Sequence, residues 1–403
     1  MTTVDSLNAT NPFTATGPGQ RRAAYAALAA AGPVHRITLP SGKRAWLITG
    51  YDEARQALHD PRLIKSKQAL ANIGWNVVPP DLLTAMASHM LNNNAPDHTR
   101  LRRLVASTFT RRRVEQLAPR IQQITDELLG ALAGAAQVDL LAAFAYPLPI
   151  TVICELLGVP EQRREEFHAW SSVVVTGVLA GPEAFVAAST AMMDFLRELI
   201  AVKRTEPADD LLSALVAVRD GADQLSEDEL TSMASLLLTA GHETTANLIG
   251  NGALALLTHP EQLALLRAQP ERLPAAIEEL LRFDGPLQVA TFRLSTEPIV
   301  IGGVTIPAGE VVFPGLLAAN RDAACTTQPH ALGITRTDNP HIAFGHGVHH
   351  CLGAPLARLE GRIALGSLLA RFPRLRLAVR PEELTWRPSV LMHGLSALPV
   401  VLD

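Results

Sequence analysis

The sequence predicts a mainly α, single-domain fold with small antiparallel β-sheets. Ala and Leu dominate the composition and aromatic residues make up only 4% of it, which favours helices. Helix-forming segments fill most of the chain after residue 96, whereas strand-like runs are short and lie in residues 35–50 and beyond residue 286. No linker or repeat divides the 403 residues, so we expect an irregular arm over residues 1–20 and one domain over residues 21–403.

The first predicted elements of the domain are a helix, a hairpin and a second helix. Residues 21–31 have helix-forming composition, residues 35–50 hold two β-rich runs about a Ser-Gly turn, and Tyr51–His59 is a short helix. Residues 65–93 mix apolar side chains with Gly and Pro and show no sustained period. Long irregular segments inside compact domains often have a function.

The middle of the chain is predicted to be almost entirely helical. Its longest helix begins at a capping box, S-x-x-E, formed by Ser226 and Glu229, and continues to Thr258. The low charge of residues 236–257 predicts burial on most sides, while their polar centre excludes a membrane span. The other predicted helices are Asp97–Thr108, 114–134, 149–157, 160–179, Pro182–Thr205, 209–218, Pro260–Ala268 and 274–282.

The last third of the chain is predicted to form short strands and then one helix. A Gly-Pro pair at residues 285–286 ends the preceding helix, and the strand-like runs that follow turn at residues 302–303 and 307–309. Ala354–Arg371 is the helix, and residues 389–403 are short apolar runs.

Charge and cysteine content limit the class of protein. A net charge of −4 shows no bias toward nucleic acid or anionic lipid. Three cysteines make a disulfide framework unexpected and fit a reducing cytosol. The polar N-terminus lacks the basic and apolar stretches of a signal peptide. We therefore expect a cytoplasmic protein without a membrane anchor or a nucleic-acid partner.

The stretch around Cys351 carries the strongest chemical signal. The cysteine lies just before a predicted helix, where the helix dipole and free N–H groups favour a thiolate. The glycines that flank it permit a tight turn with positive φ. Such a sulfur suits a nucleophile, a zinc ligand or the axial ligand of a haem.

The spacing around Cys351 distinguishes these alternatives. A zinc site needs about four ligands and no second C-x-x-C is present, while nothing singles out the base that a nucleophile needs. A buried inert thiol would not need flanking glycines. The string F-G-x-G-x-H-x-C-x-G resembles the haem-binding loop of the cytochrome P450 family. It consists of Phe344, Gly345, Gly347, His349, Cys351 and Gly353.

A polar cluster in the middle of the longest helix is the second signal. Gly241 costs about 1 kcal/mol of helix propensity, so it indicates close approach of a ligand or a local widening of the helix. Residues 242–243 begin the zinc motif H-E-x-x-H, but Ala246 replaces its second histidine. A Thr/Glu pair that serves packing alone is the simpler alternative. The segment resembles the oxygen-activation motif of the same family, which implies that Glu243 and Thr244 are catalytic and relay protons to dioxygen.

The third signal is an E-x-x-R pair, Glu279 and Arg282. Taken alone, such a pair is usually a surface ion pair. Its position before the cysteine loop resembles the family's buried scaffold pair, which implies a structural role. The family usually completes the pair with a further arginine, and Ala331 stands at that place. His330 or backbone carbonyls are the alternatives that would complete the pair here.

The resemblance also implies residues that hold haem b and residues that contact substrate. His98 and Arg102 share one helix face, and with Arg293 and His349 they match the partners of the haem propionates. The complete cofactor-binding set is His98, Arg102, Ala240, Arg293, Phe344, Gly345, His349, Cys351 and Gly353. Residues 65–93 are expected to form a lid. The expected substrate contacts are Trp75, Val78, Val174, Leu237, Ala240, Val289, Leu391 and Met392, for each of which core packing is the alternative.

The resemblance covers nearly the whole chain and implies a haem-thiolate monooxygenase. Its expected activity is hydroxylation or epoxidation of a bulky macrolide, polyketide or steroid-like compound with O2. Electrons would come from a ferredoxin and its reductase, because the chain has no room for flavin domains. The basic run of residues 111–113 fits a solvated turn, and the alternative is a docking site for an acidic electron donor. We expect a monomer. The alternatives are oxidative crosslinking of aromatic side chains in a peptide and a non-enzymatic haem-thiolate sensor.

Overall fold

The longest helix, Glu227–Leu257, begins at the predicted capping box. A computed structural model describes residues 11–402 except 18, 67, 68, 71, 72, 74–76, 221 and 222. Ser226 Oγ accepts a hydrogen bond from the Glu229 N–H at 3.3 Å, and the Glu229 carboxylate accepts one from the Ser226 N–H at 2.9 Å. Most of its residues are buried, as the low charge predicts. Within the described part of the chain, no helix is both long and apolar enough to cross a bilayer.

Helices surround this central one on several sides. It packs against the helices that begin at Pro80, Pro147, Pro182, Leu273 and Ala354. In chain order the described α-helices are α1 (Gln20–Ala31), α2 (Tyr51–His59), α3 (Pro80–Ala87), α4 (Asp97–Thr108), α5 (Arg111–Gln116), α6 (Ala118–Ala131), α7 (Pro147–Leu156), α8 (Arg164–Thr176), α9 (Pro182–Thr205), α10 (Leu211–Ala217), α11 (Glu227–Leu257), α12 (Pro260–Ala268), α13 (Leu273–Asp284), α14 (Leu316–Ala319) and α15 (Ala354–Arg371).

Two predicted helices are divided in the structure for local reasons. The predicted helix 114–134 is split into α5 and α6, because Pro119 at the start of α6 has no N–H to continue the first helix. The predicted helix 160–179 becomes a 3₁₀ turn at Glu161–Arg163 followed by α8, which ends at Gly177 with φ of 67°.

The strands form small sheets at the edge of the helical body. Within the described residues, the largest sheet has the strand order β1 (Val34–Thr38), β2 (Arg44–Ile48), β10 (Val311–Pro314), β7 (Arg293–Ser295) and β3 (Leu63–Ile64). Its β2 and β10 strands pair in parallel, which differs from the antiparallel sheets expected. Because the helical region separates these two strands in the chain, no hairpin fixes their direction. The strands are β1 (Val34–Thr38), β2 (Arg44–Ile48), β3 (Leu63–Ile64), β4 (Gln137–Asp139), β5 (Arg219–Asp220), β6 (Asp223–Gln224), β7 (Arg293–Ser295), β8 (Ile299–Ile301), β9 (Val304–Ile306), β10 (Val311–Pro314), β11 (Arg376–Leu377) and β12 (Pro399–Val401).

The described part of the N-terminal arm is irregular but packs onto the domain. Phe13 is fully buried in an apolar cluster with residues of β2, β7 and β10. Asn11 Nδ2 donates to the carbonyl of Thr38 at 2.6 Å, and the carbonyl of Thr16 accepts from the Trp386 N–H at 2.9 Å. This arm therefore joins the first hairpin to the C-terminal segment.

Candidate active site

A cavity of about 250 Å³ lies between helix α11 and the loop that carries Cys351. Helix α11 contributes Leu237, Ala240 and Thr244 to one wall. The loop contributes Phe344, Gly345, Cys351 and Gly353 to the opposite wall, so the two strongest sequence signals meet across one space.

The Cys351 loop has the turn that its glycines predict. Gly345 and Gly347 have φ of 74° and 71°, in the left-handed region that favours glycine. A Cβ at Gly347 would lie 3.0 Å from the carbonyl oxygen of Leu58, so the loop also passes tightly against α2. The Cys351 N–H donates to the carbonyl of Phe344 at 2.9 Å, and α15 begins three residues later. The sulfur is thereby presented to the cavity.

The protein alone does not make the sulfur an anion. Burial raises the pKa of the Cys351 thiol, and this effect outweighs the N–H groups of Gly353 and Ala354 and the guanidinium groups of Arg102 and Arg358, which act to lower it. The N–H groups at the start of α15 act in the predicted direction, but without a bound cation they do not offset desolvation of the sulfur. A cation bound at the sulfur would reverse the balance.

Besides His346 and His350, four predicted site residues with basic side chains border the same cavity. They are His98 and Arg102 of α4, Arg293 of β7, and His349 of the cysteine loop. The rings of His98 and His349 lie 4.3 Å apart between centroids. His98 Nε2 and Arg293 Nε are buried and have no hydrogen-bond partner among the described residues.

These basic groups need an anionic partner that the protein does not supply. Burial, together with the nearby charges of Lys65 and Arg293, lowers the pKa of His349 to about 2. Burial likewise lowers the pKa of Arg293 to about 10. No Asp or Glu is among the described residues that border the cavity. An anion bound beside these groups would satisfy their unpartnered nitrogen atoms and neutralise their charge.

Lys65 extends this basic cluster and was missed from the sequence. Its Nζ is buried and donates to the carbonyls of Thr291 and Phe292, at 3.0 and 2.8 Å, and to Thr291 Oγ1 at 2.5 Å. Thr291 borders the cavity, so Lys65 fixes part of its wall. A single lysine in an irregular segment gives no sequence signal for such a role.

Glu243 and Thr244 point to different sides of α11. Thr244 borders the cavity, and its Oγ1 donates to the carbonyl of Ala240 at 2.8 Å. Glu243 is 2% exposed, does not border the cavity, and forms an ion pair with Arg387 of the C-terminal segment. Glu243 and Thr244 are adjacent in the sequence, so one motif located both. The ion pair of Glu243 with Arg387, which lies 144 residues later, was not predicted.

Among the remaining residues of this motif, Gly241 and Thr245 also border the cavity, and Gly241 and His242 pack against neighbouring helices. A Cβ at Gly241 would lie 3.1 Å from Ile153 of α7, so the glycine permits close contact between two helices, and α11 is an unbroken α-helix there. His242 is fully buried, with Nδ1 donating to the carbonyl of Leu238 at 2.8 Å and Nε2 lying 3.3 Å from Ser171 Oγ of α8. His242 is therefore a packing residue.

Comparisons with known proteins agree with this geometry. Residues 183–394 match the family model for cytochrome P450. The chain belongs to the cytochrome P450 family. It is 53% identical over 376 residues to cytochrome P450 107B1 of Saccharopolyspora erythraea, which covers 91% of this chain and 92% of that protein. It is 50% identical to the vitamin D(3) 25-hydroxylase of Pseudonocardia autotrophica, over 94% of this chain and 93% of that one.

The P450 fold is equally clear from solved structures. The tirandamycin C-bound P450 monooxygenase TamI superposes with a TM-score of 0.88 at 49% identity, covering 94% of this chain and 97% of that chain. The protein is thus a P450 monooxygenase, whose family cofactor is haem iron ligated by a cysteine thiolate. The cavity fits haem for two reasons. It presents the sulfur of Cys351 as a ligand for the iron, and the four predicted basic side chains, with no protein carboxylate beside them in the described lining, suit the two propionates.

The E-x-x-R pair of this P450 is buried, as the resemblance implies. Glu279 and Arg282 are both 0% exposed, and Arg282 Nε and Nη2 donate to the carboxylate at 2.7 and 2.8 Å. Arg282 also donates to the carbonyls of Asn320, Pro329 and Ala331. The alternative in which backbone carbonyls complete the pair is therefore confirmed in part.

A second arginine completes the pair from a position the sequence analysis did not consider. Arg336 Nε donates to Glu279 Oε1 at 3.2 Å, and its Nη1 donates to the carbonyl of Thr327 at 2.7 Å. Arg336 lies five residues beyond Ala331 and reaches back because a turn at Gly333 intervenes. The role considered for His330 is wrong, since His330 is exposed and borders a different cavity.

The predicted substrate contacts divide into two groups. Leu237 and Ala240 border the cavity. Val289 is fully buried in an apolar cluster with Phe13, and Val78 is buried in the main core, so packing describes both. Val174, Leu391 and Met392 are not among the described residues that border the cavity: the first two are partly buried against the cores, and Met392 is buried. The predicted contact Trp75 lies outside the described residues.

The cavity wall near Val289 is built from its neighbours instead. Leu287, Ala290 and Thr291 border the space, while Val289 is buried in the apolar cluster that contains Phe13. Met90 and Leu91 close another side of the cavity from the described part of the predicted lid.

A larger cavity, of about 650 Å³, lies beside α1 and does not reach the cysteine. Its buried polar groups satisfy one another: Arg21 donates to His393 Nδ1 at 2.9 Å, and His393 Nε2 and Arg321 donate to Asp284 at 3.1 and 2.9 Å. Since these partners are complete, the cluster has a structural role, and the smaller cavity remains the candidate site.

Proposed function

We propose that this P450 hydroxylates or epoxidises a bulky, mainly apolar secondary metabolite of the macrolide, polyketide or steroid-like class. The observation that carries the proposal is one apolar cavity with Thr244 on one wall and Cys351 on the other. Relatives named as a vitamin D(3) 25-hydroxylase, a 6-deoxyerythronolide B hydroxylase and a mycinamicin IV hydroxylase/epoxidase support the substrate class.

The residues of the cysteine loop and the basic cluster would hold the haem. Cys351 Sγ would ligate the iron, with Phe344, Gly345 and Gly353 shaping the loop around it. The propionates would be bound by His98, Arg102, Arg293 and His349. When bound, haem supplies activation of dioxygen and transfer of one oxygen atom to the substrate.

Helix α11 would control protons and orient the substrate. The Thr244 hydroxyl is held by the Ala240 carbonyl, so its oxygen can accept a hydrogen bond from the cavity side and pass a proton there. Glu243 would supply that proton from the adjacent position. Leu237, Leu287 and Ala290 would bind the apolar body of the substrate and exclude water from the reacting carbon.

The electron donor would be a ferredoxin, reduced by its own reductase, that docks near the cysteine loop. Val348 in the 3₁₀ turn Gly347–His349 is 62% exposed, and Arg111 and Arg112 are also exposed. An exposed apolar side chain together with exposed arginines suits contact with an acidic protein. We further propose a cytoplasmic monomer with its catalytic domain over residues 21–403, since all three cysteines are free thiols and residues near both ends pack on one body.

The test is to express the chain with haem and to screen macrolides, polyketide lactones and sterols for a shift of the Soret band. A shifting compound is then incubated with O2, ferredoxin and reductase. A product heavier by one oxygen atom supports the proposal. A loss of two hydrogen atoms would indicate crosslinking, and reductant consumption unaffected by every compound would indicate a sensor.

A further inference from the structure

Glu243 has a polar neighbourhood on the side of α11 that faces away from the cavity. Arg387 Nη2 donates to the Glu243 carboxylate and also to Asn247 Oδ1, the latter at 3.0 Å. The Arg387 guanidinium lies over the ring of Tyr146, 5.2 Å from its centroid. The Glu243 side chain is 3% exposed and that of Arg387 is 32% exposed, so the pair spans from the buried helix to the protein surface.

Three further polar atoms of this group are unpartnered. Tyr146 Oη, Asn247 Nδ2 and Arg387 Nε are buried and have no hydrogen-bond partner among the described residues. Buried polar atoms that no protein group reaches are usually satisfied by ordered water. These three atoms can therefore bind ordered water that connects the protein surface to the Glu243 carboxylate.

The packing of the C-terminal segment on α11 maintains this arrangement. The Arg387 N–H donates to the carbonyl of Gly394 at 3.0 Å, which closes a narrow loop of the segment. A Cβ at Gly394 would collide with Asn247 Oδ1, so only glycine lets the segment lie this close to the helix. Arg387 is therefore held in place by backbone contacts as well as by its ion pair.

Glu243 and Thr244 face different sides of α11. Successive residues of an α-helix are separated by about 100° around the axis. Thr244 therefore faces the cavity while Glu243 faces Arg387, and Glu243 lies between the solvent side and the reaction side of α11.

We propose that Arg387, Tyr146 and Asn247 form the solvent-side entrance through which protons reach Glu243, with Arg387 as the residue that positions the carboxylate. This inference rests on the proton-transfer role proposed above for Glu243 and Thr244. A proton leaves a hydronium ion at the surface, passes along hydrogen-bonded water and neutralises the Glu243 carboxylate. Glu243 then releases one proton toward Thr244 and becomes a carboxylate again. No electrons move in these steps, and the Arg387 guanidinium stays protonated.

The experiment compares Arg387→Gln, Arg387→Lys and Tyr146→Phe in the haem-loaded full chain with a compound that shifts the Soret band. Arg380→Gln is the matched control, because Arg380 lies in the same segment and pairs only with the exposed Glu383 among the described residues. We expect Arg387→Gln to keep the ferrous–CO band and the substrate-induced shift. Its yield of product per reductant should fall about tenfold, with a larger solvent deuterium isotope effect on turnover. Arg387→Lys should recover part of the yield, and Arg380→Gln should equal the wild type.

Infrared spectroscopy supplies a readout independent of turnover. Without its cation, a buried carboxylate is expected to take up a proton. Arg387→Gln should therefore show a protonated carboxyl band at neutral pH in addition to the one expected for Glu360. This additional band should be absent from the wild type and from the Arg387→Gln, Glu243→Gln double variant. A purely structural ion pair would alter stability without changing the isotope effect.

The outcomes separate this inference from the proposed function. Wild-type yield and isotope effect in Arg387→Gln and Tyr146→Phe, together with uncoupling in Thr244→Ala, would overturn the entrance and leave the proposed function standing. If Thr244→Ala and Glu243→Gln also gave the wild-type yield of product per reductant, both the proton entrance and the proposed role of Glu243 and Thr244 would be overturned. If Arg387→Gln does not retain haem, the yield and isotope effect of Arg387→Lys and Tyr146→Phe decide the question in the same way.

Discussion

At the scale of single residues, the reactivity of Cys351 depends on what binds beside it. Burial raises the pKa of the thiol, so the pocket without metal favours the neutral sulfur. The sequence pattern of glycines and a following helix correctly predicted where the sulfur lies. It did not predict the desolvation that opposes ionisation, because desolvation depends on packing by distant residues.

The first prediction concerns the sulfur itself. Cys351→Ser should abolish the thiolate-type ferrous–CO band, because a serine hydroxyl is a far weaker ligand for iron than a thiolate. The measurement is the CO difference spectrum of the reduced protein. Cys325→Ser is the control, since Cys325 is a free, partly buried cysteine outside the cavity, and it should keep the band. A thiolate-type band in Cys351→Ser would refute the ligand assignment.

The second prediction concerns the hydroxyl on the cavity wall. Thr244→Ala should keep the CO band but lower the product formed per reductant by about tenfold or more, with the difference appearing as peroxide. Thr258→Ala removes the same kind of hydroxyl-to-carbonyl bond at the end of α11, away from the cavity, and should remain coupled. Full coupling in Thr244→Ala would remove this residue from the mechanism.

Single residues also mark where prediction from sequence ends. Motifs located Glu243, Thr244 and Glu279, since each motif is local in the chain. Their partners Arg387 and Arg336 lie 144 and 57 residues away from Glu243 and Glu279, and no sequence pattern pairs them with those carboxylates. Such partners depend on tertiary packing, which single-sequence patterns do not encode.

At the scale of elements, helices were predicted where local chemistry decides them. The capping box of α11 and the ends of α4, α9, α12 and α15 agree with the predictions. Errors arose where one residue interrupts a helical pattern, as Pro119 does between α5 and α6. The parallel pairing of β2 with β10 could not be predicted, because the direction in which β10 enters the sheet depends on the path of the chain through the whole helical region between the two strands.

The third prediction concerns the connection between α13 and the segment before the cysteine loop. Arg336→Ala should lower the free energy of unfolding by about 2–4 kcal/mol, because it removes a guanidinium that joins buried Glu279 to several carbonyls. Denaturant unfolding of the haem-loaded protein measures this. Arg197→Ala breaks only an exposed i,i+3 pair and should cost less than about 0.5 kcal/mol. Equal costs for the two variants would contradict a scaffold role for Arg336.

At the scale of the whole molecule, a buried acid links stability to pH. Glu360 of α15 is 1% exposed, and its Oε2 has no hydrogen-bond partner among the described residues. Burial raises the pKa of Glu360 from 4.5 to about 8. The folded protein therefore holds this proton up to about pH 8, whereas the unfolded chain releases it near pH 4.5. Since the folded state binds more protons between these values, stability should fall as pH rises through this window.

The fourth prediction follows from that linkage. Glu360→Gln and Glu360→Leu both remove the titrating group, so each should lessen the loss of stability between pH 5 and pH 8 by an amount on the order of a few kcal/mol. Guanidinium unfolding at both pH values measures the change. A wild-type pH slope in both variants would show that Glu360 keeps its ordinary ionisation in the folded protein.

The separation of charged and apolar walls has a consequence for diversification of this enzyme. The basic groups that suit the cofactor lie on α4, β7 and the cysteine loop, whereas Met90, Leu91, Leu287 and Ala290 also border the cavity and carry no charge. Mutational libraries at those four positions can therefore explore new substrates and new regiochemistry while leaving prosthetic-group retention intact.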